Sequence, residues 1–294
     1  MSFTVIGIGE VLWDLLPDGP QLGGAPVNFV LHTQALGAHA PVITRVGCDR
    51  LGRGVLERFR KMNVIESTVQ VDDDLPTGTA TVSLSAQGIP QFVIQENVAW
   101  DRIRVTALAL ETVGRANAVC FGTLAQRHPA SRKAIQQLVA AASAGALRVL
   151  DINLRHPFYD RDVIESSLRL ANLLKLNDDE LGILTEMYSL GGDVRQRVVG
   201  LAETFELKGV VLTSGARGSL VYRDGCWSEQ PARAVQVVDT VGAGDAFTAA
   251  LTMGWLSRKD LGECHFIAAE VAGYVCSQPG ATPSLQGGFK DVFV

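Results

Sequence analysis

Short, continuous apolar runs recur along this chain at residues 4–8, 42–46, 118–121, 147–152, 173–176 and 210–213. Runs of this kind read as strands buried on both faces. Helical patterns fall between several of them, at 52–62, 107–115, 129–142, 161–171 and 194–205. The alternation is the strongest constraint on the fold. Parallel strands need long crossovers, and helices packed on the faces of a sheet supply them. The expectation is one α/β domain over 1–294 built on a doubly wound, mostly parallel sheet.

One stretch breaks the pattern. Thr79-Ala80-Thr81-Val82-Ser83-Leu84 alternates at period 2, Gln87-Gly88 offers a turn, and Gln91-Phe92-Val93-Ile94-Gln95 returns. That predicts a β-hairpin with no helix between its strands, part of a small lid inserted into the body. Near the C-terminus, 218–223 and 225–228 predict a second hairpin, followed by helices at 245–257 and 263–277.

Composition narrows the function classes. A net charge of −5 argues against a nucleic-acid or anionic-membrane partner. The N-terminus has no basic leader region and meets Glu10 early, so it reads as a first strand; no apolar run is long enough to span a bilayer. The five cysteines are scattered, odd in number and free of any CxxC pair, which fits reduced thiols in a cytoplasmic protein.

Two segments carry chemistry. In the first, Gly242, Ala243 and Gly244 precede Asp245, which opens an apolar helical pattern. Backbone N–H groups in such a loop can converge on an anion at a helix N-terminus, where the dipole favours negative charge. A carboxylate beside an anion cradle is what phosphoryl transfer to a hydroxyl requires. The same glycines can equally serve a tight strand-to-helix turn. The second segment is Asp14 with Gly23-Gly24-Ala25-Pro26-Val27-Asn28, leading into a helical pattern over 29–36. Diglycine allows close approach of a polar ligand, and Asp with Asn offers donors and acceptors for vicinal hydroxyls. Taken alone, this piece is as readily a loop with a capped helix. Cys264-His265 has no partner pair and reads as packing, not metal ligation. The chain has no Walker A lysine motif and no GxGxxG.

Taken together, these segments resemble the ribokinase (PfkB-type) carbohydrate kinase family. The GGAPVNF segment, followed by Leu36-Gly37 and Val46-Gly47-Cys48-Asp49, is similar to its first signature, and DTVGAGDAF to its second. Between them, Asn177-Asp178-Asp179-Glu180 resembles the Asn-x-x-Glu element, and 213–218 its nucleotide-binding turn. The elements run in family order over nearly the whole chain.

The resemblance implies a ribokinase-like fold with a lid formed by segments near 10–40 and 67–105, which in several members mediates a homodimer. It implies Asp245 as catalytic base, with Gly242, Ala243 and Gly244 as anion hole. Asp14, Gly23, Gly24 and Asn28 would hold the sugar, with Arg155 beside them. Asn177, Thr213, Gly215, Gly218 and Gly244 would line the ATP site, and Glu180 with Asn177 would hold magnesium through water. A monovalent cation such as potassium would be bound at Asp239, Val241, Val275, Gln278, Gly280 and Ser284. The implied cofactors are thus ATP and magnesium, with potassium as an addition, and the implied partner is a small sugar. Ala25-Pro26 stands where sugar-phosphate kinases carry lysine, and the GGAP form resembles fructokinases most. Arg155 leaves a carboxylate-bearing sugar such as 2-keto-3-deoxygluconate as the alternative, and a non-catalytic sugar sensor as a third reading.

Overall fold

The structure, a computed structural model, describes residues 3–17, 19–84, 90–285 and 288–293. The turn expected at Gln87-Gly88 lies outside them. The main sheet has nine strands. In chain order they are β1 (Val5–Ile8), β4 (Val42–Gly47), β5 (Val69–Asp72), β8 (Ala118–Phe121), β9 (Leu147–Asp151), β10 (Leu173–Asn177), β11 (Gly209–Thr213), β12 (Ser219–Arg223) and β13 (Cys226–Gln230). A separate sheet contains β2 (Leu12–Leu16), β3 (Gly19–Gly23), β6 (Gly78–Leu84) and β7 (Pro90–Ile94). The principal helices are α1 (Ala25–Ala35), α2 (Arg50–Lys61), α3 (Ala107–Gly114), α4 (Pro129–Ala140), α5 (Arg161–Leu170), α6 (Asp178–Tyr188), α7 (Val194–Thr204), α8 (Ala243–Leu256) and α9 (Leu261–Cys276).

The main sheet runs β13-β12-β11-β10-β9-β8-β1-β4-β5, and every neighbouring pair from β11 to β5 is parallel. Only the β12–β13 hairpin at one edge is antiparallel. Side chains alternate between two cores. Val5, Val42 and Cys120 pack with α1, α2, α8 and α9, while Ile6, Ile43 and Phe121 pack with α3 to α7. From β1 the chain winds towards β5, then returns through β8 to wind the other way. This leaves a crevice at the carboxyl ends of β1 and β8, the topological switch point at which open α/β sheets bind ligands.

The second sheet is mixed: β2 pairs antiparallel with β3 and parallel with β6, and β6 pairs antiparallel with β7. Two parts of the expected lid segments lie elsewhere. Residues 25–35 form α1, whose run from Pro26 to Thr33 is buried in the body. Val69–Asp72 joins the main sheet beside β4. A helix buried on every side has no amphipathic stripe to mark it as part of the body.

At the amino ends of the strands, away from the crevice, Asn172 stitches three neighbours together. Its Oδ1 accepts from Arg148 N at 2.8 Å, its Nδ2 donates to Ala146 O at 3.0 Å, and its carbonyl accepts from Lys208 N at 2.8 Å. Replacing Asn172 by Leu strands buried polar groups and should cost about 2 kcal/mol or more. Urea unfolding should show that loss, with activity per folded molecule unchanged.

Candidate functional site

The crevice is built from strand ends and one helix mouth. Glu10 follows β1, Gly122 and Thr123 follow β8, Asp151 ends β9 with Asn153 just beyond it, and Asp245 lies in the first turn of α8; all line one cavity. Gly242 enters α8 at φ 77°, and a Cβ there would overlap the Ala281 carbonyl, so only glycine fits. The N–H of Ala243 reaches back to Thr240 O at 3.3 Å. That corrects the expected cradle: Ala243 is engaged in the turn. Among the described residues, the amides of Gly242, Gly244 and Asp245 have no partner. Free amides at a helix N-terminus form an anion site.

Asp245 is held by Asn28, whose Nδ2 donates to Oδ2 at 2.8 Å across 217 positions of sequence. Burial pushes the carboxyl up to about 7, and the charge on Asp151 pushes the same way; Asn28 and Lys175 oppose. A carboxyl poised near neutrality can accept a proton from an alcohol as charge develops. Beneath it, Lys175 Nζ meets Asp151 Oδ1 at 3.0 Å, both nearly buried. Burial opposes the charge on Lys175, yet Asp151, Glu180 and Asp245 outweigh it and raise its pKa. A Cβ on Gly244 would lie 3.2 Å from Lys175 Nζ, so the first turn of α8 rests on this lysine.

The first glycine-rich segment meets the second through α1. Asp14 on β2 faces Gly23, where a Cβ would overlap its carboxylate; burial raises the Asp14 pKa. Gly24, at φ 113°, lies against the Glu10 carbonyl. Asn28 keeps a buried Oδ1 that has no partner among the described residues, an acceptor next to Asp245. Arg155 is exposed, and its Nη1 donates to its own neighbour's carbonyl, Leu154 O, at 3.1 Å.

Asn177 and Glu180 form a capping box at the start of α6. Asn177 Oδ1 accepts from Glu180 N at 2.9 Å, and Glu180 Oε2 accepts from Asn177 N at 2.8 Å. Glu180 Oε1 accepts from Leu154 N at 2.8 Å. Each carboxylate oxygen keeps a lone pair. Among the described residues, no three His, Cys, Asp or Glu side chains gather to cage a metal. This sparse set fits magnesium, which retains waters and needs one or two protein oxygens. Thr213 ends β11, and Gly215 at φ 54° has open space where its Cβ would stand. Gly218 is different: a Cβ there would overlap the Gln230 carbonyl, so packing against β13 alone requires glycine.

The expected cation loop is drawn together by Asp239, which accepts from Val241 N at 3.0 Å and Gly280 N at 3.1 Å. The Val275 carbonyl accepts from Gln278 N at 3.0 Å, and that of Ser284 from Tyr274 Oη–H at 3.0 Å. His32, held down to about 4 by burial, reaches Ala281 O with Nε2 at 3.0 Å. His265 lies between the hydroxyls of Ser219 and Ser228, at 2.7 and 2.8 Å. Sequence reasoning missed Glu10, Lys175 and His32 as parts of the site. A lysine inside the apolar run Leu173-Leu174-Lys175-Leu176 was the available signal, since buried lysines need partners.

Residues 20–286 match the pfkB family of carbohydrate kinases. The chain belongs to that family. Fructokinase of Klebsiella pneumoniae is 30% identical over 265 residues, covering 86% of this chain and 85% of the relative. The sugar kinase PH1459 of Pyrococcus horikoshii, crystallised with ATP, superimposes with a TM-score of 0.76 at 26% identity, over 95% of this chain and 94% of that one. Fructokinase of Xylella fastidiosa with bound ATP reaches a TM-score of 0.84 over 96% and 94%, and at 21% identity it speaks for the fold alone. As a pfkB-family member this chain is a sugar kinase with the ribokinase-like α/β fold.

The raised Asp245 pKa links stability to pH. The folded state holds its proton up to about 7, whereas an unfolded aspartate releases it near about 3.9. Stability therefore falls as pH rises through that window. Replacing Asp245 by Asn removes the penalty. The variant should gain more in melting temperature at about pH 8 than at about pH 4; equal shifts at both would contradict the linkage.

Proposed function

We propose that this sugar kinase is an ATP-dependent fructokinase, with Asp245 as its catalytic base. The observation that carries the reading is the free Gly242 and Gly244 amides at the mouth of α8, beside a carboxyl raised to about 7. The acceptor hydroxyl stands against Asp245, which orients it and takes its proton as the oxygen–phosphorus bond forms. The bond from the γ-phosphorus to the β-bridging oxygen breaks, and ADP leaves. The amides of Gly242 and Gly244 meet the negative charge on the transferring phosphoryl group. Asp14, Gly23, Gly24 and Asn28 hold sugar hydroxyls, and Thr213, Gly215 and Gly218 line the ATP site. Magnesium neutralises phosphate charge when bound, and Glu180 and Asn177 would hold it through water. Asp239, Val241, Val275, Gln278, Gly280 and Ser284 would take potassium, mostly through carbonyls. The sheet of β2, β3, β6 and β7 is the lid over the sugar and the surface for a homodimer.

A free, neutral sugar suits this crevice. Its lining includes the carboxyls of Glu10, Asp151 and Asp245, which repel a phosphorylated substrate. Arg155 is exposed and its charge acts on Glu10 in the crevice, which keeps 2-keto-3-deoxygluconate as the alternative acceptor. Coupled detection of ADP should show fructose turnover exceeding that of the sugar acid, with potassium raising the rate. Asp245→Asn should lower kcat by about 10³-fold, within the range for loss of a general base. Wild-type kcat in that variant would sink the mechanism.

A further inference from the structure

Glu10 stands one residue beyond the Gly9 that follows β1, at the switch point of the sheet. It is 3% exposed, among the most deeply buried charged side chains described. Part of its role is structural. Gly24, the residue before α1, provides no side-chain cap, and the Ala25 N–H at the start of that helix favours the charged form of Glu10. That leaves the second oxygen unexplained: Oε2 is buried and, among the described residues, has no hydrogen-bond partner. An acceptor in that state is rare unless water or a ligand completes it.

The surroundings say which ligand. Glu10 lines the same cavity as Asp245, with Asn153 and Asp151 beside it and Phe29 and Phe121 supplying apolar walls. The Oδ1 of Asn28, whose Nδ2 holds Asp245, is a second buried oxygen without a partner among the described residues. Orphan acceptors around an acidic, partly apolar crevice call for a neutral molecule carrying several hydroxyl groups. A hydroxyl both donates and accepts, so it serves Glu10 whether or not the carboxyl holds a proton. An anionic substituent at that position would face the carboxyls of Glu10 and Asp151, with the charges of Arg155 and Arg127 opposing them.

We propose that Glu10 is a substrate-binding residue whose Oε2 hydrogen-bonds a sugar hydroxyl other than the one phosphorylated. The proposal rests on the reading that Asp245 faces the acceptor hydroxyl in this crevice. It assigns a direct contact to a residue outside both glycine-rich signatures.

The test is a cycle between enzyme and substrate. Steady-state kcat/KM is measured for the wild type, Glu10→Gln and Glu10→Ala, on the best free sugar and on each of its monodeoxy analogues. In the wild type, one analogue should be about 10- to 100-fold poorer because its missing hydroxyl leaves Glu10 unpaired. In Glu10→Ala that penalty should shrink to within about threefold, and in Glu10→Gln it should be partly retained. KM for ATP should hold in both variants. Should Glu10→Ala fail to fold, Glu10→Gln carries the comparison, with its melting temperature as the control. Identical penalties for every analogue in wild type and variant would overturn the role of Glu10 while leaving the kinase reading intact. Absence of any free-sugar turnover by the wild type would overturn both.

Discussion

Lys175 is the contact on which the rest of this site depends. It is buried in the middle of β10 and bonded to Asp151, and its charge acts on Glu180 and Asp245 as well. Three carboxyls at one end of a sheet would repel one another and lose hydration without a cation among them. The lysine also underlies the Gly244 backbone, so the same atom that balances the acids supports the loop into α8. The balance is incomplete at Asp245. Burial and Asp151 outweigh Lys175 and Asn28, leaving the carboxyl near neutrality instead of near its value in water.

Close backbone approach is the second constraint. Gly242 lies against Ala281, Gly24 against Glu10, and Gly23 against the Asp14 carboxylate. These contacts bring β1, the second sheet, α1 and α8 to one crevice. The α1 helix joins them from one face: Asn28 bonds Asp245, and one turn later His32 bonds the Ala281 carbonyl. A helix buried from Pro26 to Thr33 can fix both positions rigidly, which favours donors set in place before the substrate arrives.

Much of the body was legible because buried parallel strands declare themselves as unbroken apolar runs. The run at 118–121 is β8 residue for residue, and those at 42–46 and 173–176 fall one residue short at their ends. The strands β2 and β3 were not legible. Leu12-Trp13-Asp14-Leu15-Leu16 has no period of two, and Gly19-Pro20 resembles a turn. The glycine turn at the mouth of α8 that carries Asp245 could be read from the local pattern, since a helix mouth is a local structure. Its partners could not. Asn28 and Asp151 reach Asp245 only through tertiary packing, and no spacing rule links them. The engagement of Ala243 with Thr240 was hidden for a finer reason: residue type does not say which amides a turn consumes.

The dependence of kcat/KM for the sugar on pH, at saturating magnesium and ATP, tests the central claim most directly. If a desolvated Asp245 must be ionised to accept the hydroxyl proton, activity rises with pH through an inflection near about 7. A profile already flat from about pH 5 to about pH 8 would mean that no such carboxyl governs the step, and would contradict the account.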